Sequence, residues 1–178
     1  MKNIVTAISV FVTGSICQAG VVSTGEGKIV TTPPPVEKSC GWDAGDFTLG
    51  FFAAGLLPDG NGDLDDGLGG GISLGHTFCE WFSVEADATW IENPSTIHAF
   101  TASAIIRYPV AGLCIAPYVI GGGGVSTNSE TQGIVHLGGG LEWKCQKTGH
   151  SIFAEGRYVW ADETENYTLV RGGIKFEF

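Results

Sequence analysis

Residues 168–178, with the sequence TLVRGGIKFEF, alternate between two kinds of side chain. Apolar residues or glycine occupy every second position, at Phe178, Phe176, Ile174, Gly172 and Val170. The positions between them are mostly polar and include Arg171 and Lys175. This alternation is typical of a strand whose two faces meet different solvents, and about ten residues of tilted strand cross a hydrocarbon core. The edge strand of a soluble sheet would show the same pattern, so the rest of the chain must decide.

The amino-terminal residues have the three parts of a secretory signal peptide. Lys2 supplies a positive charge, residues 4–16 are apolar, and Cys17, Gln18 and Ala19 form a small-residue exit. We therefore predict a signal peptide over residues 1–19 and export of the remaining chain.

Residues 20–45 are expected to form a periplasmic tether, because they lack periodicity and contain the run Pro33-Pro34-Pro35. The formal net charge of −10, with only 9 lysines and arginines, provides no cationic surface for nucleic acid. No later stretch is apolar for long enough to predict a membrane-spanning helix.

Alternating segments separated by turn residues recur over residues 46–178. They predict eight strands at 46–57, 67–77, 82–91, 98–108, 113–125, 132–144, 151–161 and 167–178. The connectors are too short for crossover helices, so neighbouring strands should pair as antiparallel hairpins. Such a chain closes most simply as an all-β, eight-stranded antiparallel up-and-down barrel.

A soluble lipocalin-like barrel and a transmembrane barrel differ in which face is apolar. Aromatic residues in the predicted strands fall near the two ends, with Trp90 and Trp160 at one end and Tyr108 and Trp143 at the other. This distribution is typical of the aromatic belts at membrane interfaces. It favours an eight-stranded antiparallel up-and-down transmembrane β-barrel.

The charged residues of the predicted strands can be placed together on the inner face. They are Glu85, Asp87, Arg107, Glu142, Glu155, Arg157, Arg171 and Lys175. Because four acids meet four bases and unpaired charge in a narrow lumen is costly, we predict a luminal salt-bridge network. The same residues could line a narrow pore, although side chains just fill an eight-stranded barrel.

The signal peptide, the eight alternating strands and the final segment ending in Phe178 resemble the small outer-membrane β-barrel family, of the OmpA-like transmembrane-domain or opacity-porin type. The resemblance covers about residues 46–178. It implies a location in the bacterial outer membrane, among its lipid and lipopolysaccharide. It also implies that the barrel-assembly machinery reads Ile174, Phe176 and Phe178 as an assembly signal.

Four cysteines follow the predicted signal peptide, and all fall at one end of the proposed barrel, which should be periplasmic. Cys114 and Cys145 flank the base of one hairpin, and Cys40 and Cys79 flank another. We predict the disulfides Cys40–Cys79 and Cys114–Cys145. Each would close a loop and stabilise the folded state by roughly 3 to 4 kcal/mol. Zinc is the alternative ligand, but C-x-x-C spacing is absent.

The exterior loops are acidic, and one of them resembles the start of a calcium loop. Its weak candidate ligands are Asp59, Asn61, Asp63 and Asp65, but Leu64 stands where an EF-hand requires glycine. A solvated acidic loop is the preferred interpretation, so no metal and no cofactor are expected.

The sequence predicts a structural outer-membrane barrel with a plugged polar lumen and acidic extracellular loops. Its expected role is envelope integrity or surface interaction and adhesion, with a possible surface partner. An enzyme is not expected, because His98 and Ser95 near the outer rim do not form the H-x-S arrangement of lipid A acyl-modifying barrels. The alternatives are such a lipid A-modifying enzyme, a narrow porin, or a soluble lipocalin-like binding barrel.

Overall fold

The computed structural model describes residues 41–60, 65–92, 96–110, 112–128, 130–145, 149–162 and 165–178. They form eight strands: β1 Phe47–Pro58, β2 Gly67–Cys79, β3 Phe82–Glu92, β4 Ile97–Arg107, β5 Ile115–Asn128, β6 Glu130–Cys145, β7 His150–Ala161 and β8 Tyr167–Glu177. Within these ranges there is no helix long and apolar enough to cross a membrane.

Each strand pairs antiparallel with the next, and β8 pairs with β1, so the sheet is a closed barrel. This confirms the predicted eight-stranded up-and-down topology, with strand bounds that differ from the predicted ones by at most three residues. We call the end where β1 begins and β8 finishes the terminal end. The opposite end, which carries the β1–β2, β3–β4, β5–β6 and β7–β8 connectors, is the loop end.

The two faces of the barrel wall have opposite polarity, because side chains alternate across a strand. Arginine, lysine, aspartate and glutamate side chains are buried in the lumen, whereas large apolar side chains face outward. Leu68 on the exterior is 78% exposed and Phe100 is 62% exposed. In a soluble protein this exterior would be costly, so the barrel wall has the polarity of a protein solvated by lipid.

Aromatic side chains lie on the exterior near both ends of the barrel. Trp90 and Trp160 lie near the loop end, and Tyr108 and Trp143 lie near the terminal end; all four are exposed. The positions match the interfacial belts expected of a transmembrane barrel.

The lumen contains three layers of different chemistry. An apolar layer occupies the loop end and includes Leu56, Ile91, Ile97, Ile134, Val159, Tyr167 and Leu169. Charged side chains fill the middle. Near the terminal end, Trp42 packs with Cys114 and Ala116. The expected polar interior therefore extends from the middle of the barrel to the terminal end, while the interior of the loop end is apolar.

Candidate functional site

Two arginines connect three strands across the middle of the lumen. Arg171 on β8 lies 2.6 Å from Glu155, 2.7 Å from Asp87 and 3.2 Å from Glu85. Arg157 on β7 contacts the same three carboxylates at 2.6, 3.3 and 3.4 Å. Lys175 adds a contact of 2.6 Å to Glu85. Three acids and three bases thus form one ion network, which we call the luminal network.

Hydroxyl groups add hydrogen bonds to two of the three acids. Thr89 and Thr101 donate to Asp87 at 3.2 and 2.5 Å. The Tyr118 hydroxyl donates to Glu155 at 2.7 Å. Buried ion pairs are favourable only when their remaining hydrogen-bonding groups also find partners, so these contacts help to offset the desolvation of the network.

Glycine on a neighbouring strand makes room for the network. Gly140 on β6 pairs in register with both Tyr118 and Glu155. A Cβ atom at Gly140 would lie 2.7 Å from the Tyr118 hydroxyl oxygen and 2.7 Å from the Glu155 Cβ atom. The absence of a side chain at this inward position allows the hydroxyl–carboxylate contact to span the strand between them.

The other two members of the predicted set, Arg107 and Glu142, lie closer to the terminal end. Arg107 Nη2 donates to the Ser83 hydroxyl at 2.6 Å. Glu142 accepts a hydrogen bond of 3.1 Å from the Trp42 indole. Among the described residues, neither forms an ion pair with the luminal network, so the structure brings six of the eight predicted residues together and leaves two in a separate layer.

Sequence reasoning missed an ion pair at the terminal end, between Lys144 and Glu177. Both residues continue the inward alternation, since Lys144 follows Glu142 by two positions and Glu177 follows Lys175 by two. The period-two rule could have identified them, but they lie at the ends of their strands, where the inner and outer faces are hardest to assign.

A serine and a histidine meet inside the barrel although they are 33 residues apart. Ser103 Oγ lies 3.0 Å from His136 Nε2. Gly122 lies between them in register and has no side chain to separate them. Arg157 Nη1 also lies 3.5 Å from the same histidine nitrogen.

A serine beside a histidine is the geometry of an activated nucleophile. Here both residues are buried, and the cavity that His136 lines has a volume of about 20 Å³. That is room for about one water molecule, which is far too little for an ester substrate. The pair therefore has the character of packed polar side chains that satisfy each other.

The predicted assembly residues lie on the exterior of β8 at the terminal end. The Phe176 ring meets Phe51 edge-on, with 6.2 Å between ring centroids. Phe178 is 74% exposed, and Ile174 is partly exposed on the same face. At the opposite end, His98 is exposed and Ser95 lies outside the described residues.

The two disulfide predictions have different outcomes. Cys40 lies outside the described residues, which leaves the Cys40–Cys79 pairing without a structural test. Cys114 is buried, whereas Cys145 is exposed at the end of β6. Cys79 and Cys114 are each disulfide-bonded, whereas Cys145 takes no part in a disulfide, so the predicted Cys114–Cys145 pairing is wrong.

The weak metal candidates fall at the loop end. Asp59 accepts a hydrogen bond of 2.5 Å from the Tyr158 hydroxyl, and Asp65 is exposed. Asn61 and Asp63 lie outside the described residues. Within the part of the chain that the structure describes, no three His, Cys, Asp or Glu side chains are grouped to hold a metal ion.

Comparison with known proteins rests on three-dimensional structure alone. No protein-family model matches the sequence, and no curated protein matches it at a significant level. Neisserial surface protein A (NspA) matches with a TM-score of 0.63 and 16% identity, over 75% of this chain and 99% of that one.

Two further solved barrels match over similar lengths. The N-terminal β-barrel domain of Pseudomonas aeruginosa OprF has a TM-score of 0.54 and 17% identity, over 74% of this chain and 97% of that one. Ail, the attachment invasion locus protein of Yersinia pestis, has a TM-score of 0.53 and 15% identity, over 76% and 99%. With its lipid-compatible exterior and ionic lumen, the chain has the fold of the small eight-stranded outer-membrane β-barrels.

Proposed function

We propose that this protein is a structural outer-membrane barrel with a lumen that does not conduct ions, and that it supports envelope integrity or surface interaction. The luminal network is the observation that carries the proposal. Arg157 and Arg171 are only 2% and 1% exposed. In a porin the lumen is filled with water, so charged side chains at such positions would be solvated. Their guanidinium groups cross the lumen and use carboxylates of other strands as partners.

The apolar layer at the loop end supports the same proposal. Leu56, Ile91 and Leu169 are buried there, directly above the luminal network. An ion entering from this end would have to lose its hydration shell among apolar side chains, which is how hydrophobic constrictions block conduction. Two barriers of different chemistry therefore stand in series.

A surface role is supported by the chemistry of the loop end. Asp65, Asp66 and Glu92 are exposed at this end of the barrel. The similar structures include a surface protein and an attachment invasion locus protein. We propose that the acidic rim faces the cell exterior, where lipopolysaccharide and a possible surface partner would meet it.

Planar-bilayer recording tests the proposed closed lumen. The purified, folded protein should give no steady channels, because the luminal network and the apolar layer leave no continuous aqueous path. Heat-modifiable gel migration of the same sample establishes that the barrel is folded. Steady channels of a defined size in the wild-type protein would contradict the proposal.

A matched variant distinguishes whether the luminal network or the apolar layer blocks the passage of ions. Glu155→Ser combined with Arg171→Ser removes one acid and one base, which keeps the luminal charge balance while shortening two crossing side chains. If the apolar layer is sufficient to block ions, this variant also stays silent. Channels confined to the variant would assign the block to the luminal network.

A further inference from the structure

The chain entering β1 turns back into the terminal end of the lumen. We propose that residues 41–46 form a plug that keeps water at this end away from the charged interior. Trp42 is its central side chain and is 4% exposed, in contact with Cys114 and Ala116 of the barrel wall. Residues 41–45 belong to the segment that the sequence predicted to be a tether.

Polar contacts fix the position of the indole. Its N–H donates to Glu142 Oε1 at 3.1 Å. The Lys144 ammonium lies 5.7 Å from the centroid of the indole ring and is itself paired with Glu177. The indole thus contacts both luminal charges of β6 at this end. The hydrogen bond to Glu142 and the Lys144 ammonium over the ring fix the orientation of the indole, in addition to its burial.

The backbone of the plug is built for a reversal of direction. Gly41 and Gly45 have φ angles of +80° and +101°, which side chains of L-amino acids rarely adopt. Gly45 N–H then donates to the Thr77 carbonyl at 2.8 Å, and Thr77 N–H donates to the Asp46 carbonyl at 2.9 Å. These bonds attach the plug to the end of β2, so its turn is held on the barrel wall.

Water access to the lumen can be read directly from arginine side chains. The chain contains three arginines, Arg107, Arg157 and Arg171, and all are buried in the lumen. Arg107 lies at the terminal end of β4, and its Nε–H has no hydrogen-bond partner among the described residues. Exchange of that proton with solvent is therefore limited by water access and not by a hydrogen bond.

The experiment compares arginine Nε–H exchange by NMR in detergent micelles. In Trp42→Ala, exchange at Arg107 should accelerate at least tenfold over wild type, while Arg157 and Arg171 change less because their Nε–H groups donate to Glu155. Trp81→Ala is the matched control. Trp81 lies at the same end and also donates to a glutamate, but it is 50% exposed and should leave Arg107 exchange unchanged.

A backbone variant keeps the test decisive if Trp42→Ala fails to fold. Gly45→Ala retains the indole but strains the turn, because φ at this position is +101° while the space around it is open. It should also accelerate exchange at Arg107. Gly156→Ala, at another uncrowded position without positive φ, should not. Wild-type exchange rates at Arg107 in every folded variant of the plug would overturn the proposal.

The result is separable from the conductance experiment. The apolar layer at the loop end remains intact in the plug variants, so these should stay silent in planar bilayers even when Arg107 exchange is fast. Fast exchange with no channels supports the plug. Channels in the wild-type protein, together with fast Arg107 exchange, would refute both the closed lumen and the plug. A silent wild-type protein with unchanged Arg107 exchange in the plug variants would refute the plug alone.

Discussion

At the scale of single residues, substitutions in the luminal network should change the free energy of unfolding most. Each of its two arginines contacts Glu85, Asp87 and Glu155, and burial removes the water that would otherwise stabilise all these charges. Replacing a whole buried ion cluster by apolar side chains can be neutral, but removing one partner leaves a charge without compensation. The network should therefore be far more sensitive to single substitutions than to balanced ones.

We expect Arg171→Gln to lower the free energy of unfolding by about 3 to 5 kcal/mol, because three carboxylates lose a shared cation. Urea unfolding in micelles measures the change. The balanced variant Asp87→Asn with Arg171→Gln should lose less than the single variant. Glu92→Gln, at an exposed position, should stay within about 0.5 kcal/mol of wild type. Equal losses in Arg171→Gln and Glu92→Gln would contradict the energetic role of the network.

At the scale of strands, β5 and β6 show why the lumen can hold such large side chains. Inward glycines on these strands occupy register positions between the interacting groups of their neighbours. Gly122 lies in register between Ser103 and His136, and Gly140 lies in register between Tyr118 and Glu155. Small residues in the wall thus set which side chains on more distant strands can meet.

Gly122→Ala should destabilise the barrel by roughly 1 to 3 kcal/mol through overpacking. A Cβ atom there would lie 2.1 Å from the Ala102 carbonyl oxygen, which is backbone and cannot rotate away. Gly156→Ala is the control, since a Cβ at that position meets nothing within 4 Å. Unfolding midpoints in urea should fall only for Gly122→Ala; matching midpoints would contradict the crowding argument.

The strands themselves were predictable because each depends on local alternation and turn residues, as in residues 167–178. The inner and outer faces followed from the same pattern, which placed Arg157 and Arg171 inside. The Ser103–His136 contact did not follow, because it depends on closure of the barrel and on which residue of β5 lies between them. Trp42 was missed because it precedes the alternating region, although the flanking Gly41 and Gly45 were a usable turn signal.

At the scale of the whole molecule, the seam between β1 and β8 closes the barrel. Phe47 N–H donates to the Phe178 carbonyl at 3.1 Å, and Phe178 N–H donates to the Phe47 carbonyl at 3.0 Å. The last residue of the chain is therefore part of the closing contact, with its ring on the exterior. A residue in this position is suited to recognition during assembly because its side chain remains accessible.

Deletion of Phe178 should reduce the amount of folded, heat-modifiable protein in the membrane fraction several-fold. Refolding of the purified variant in micelles should be largely retained, because only one residue of the β1–β8 ladder is lost. Phe100→Ala removes a similarly exposed aromatic side chain away from the seam and should assemble normally. Normal assembly of the Phe178 deletion would count against an assembly signal at this residue.

The ion pairs of the lumen have an electrostatic consequence for the molecule as seen from outside. Glu85, Asp87, Glu142, Glu155 and Glu177 are matched in number by Arg107, Lys144, Arg157, Arg171 and Lys175. These ten charges cancel, so the formal charge of −10 is carried entirely by the other residues of the chain. Five of the chain's 9 basic residues lie in the lumen, where they neutralise these acids, and are not on the outer surface. Copies of the protein should therefore repel one another at low ionic strength and approach more closely as salt screens them.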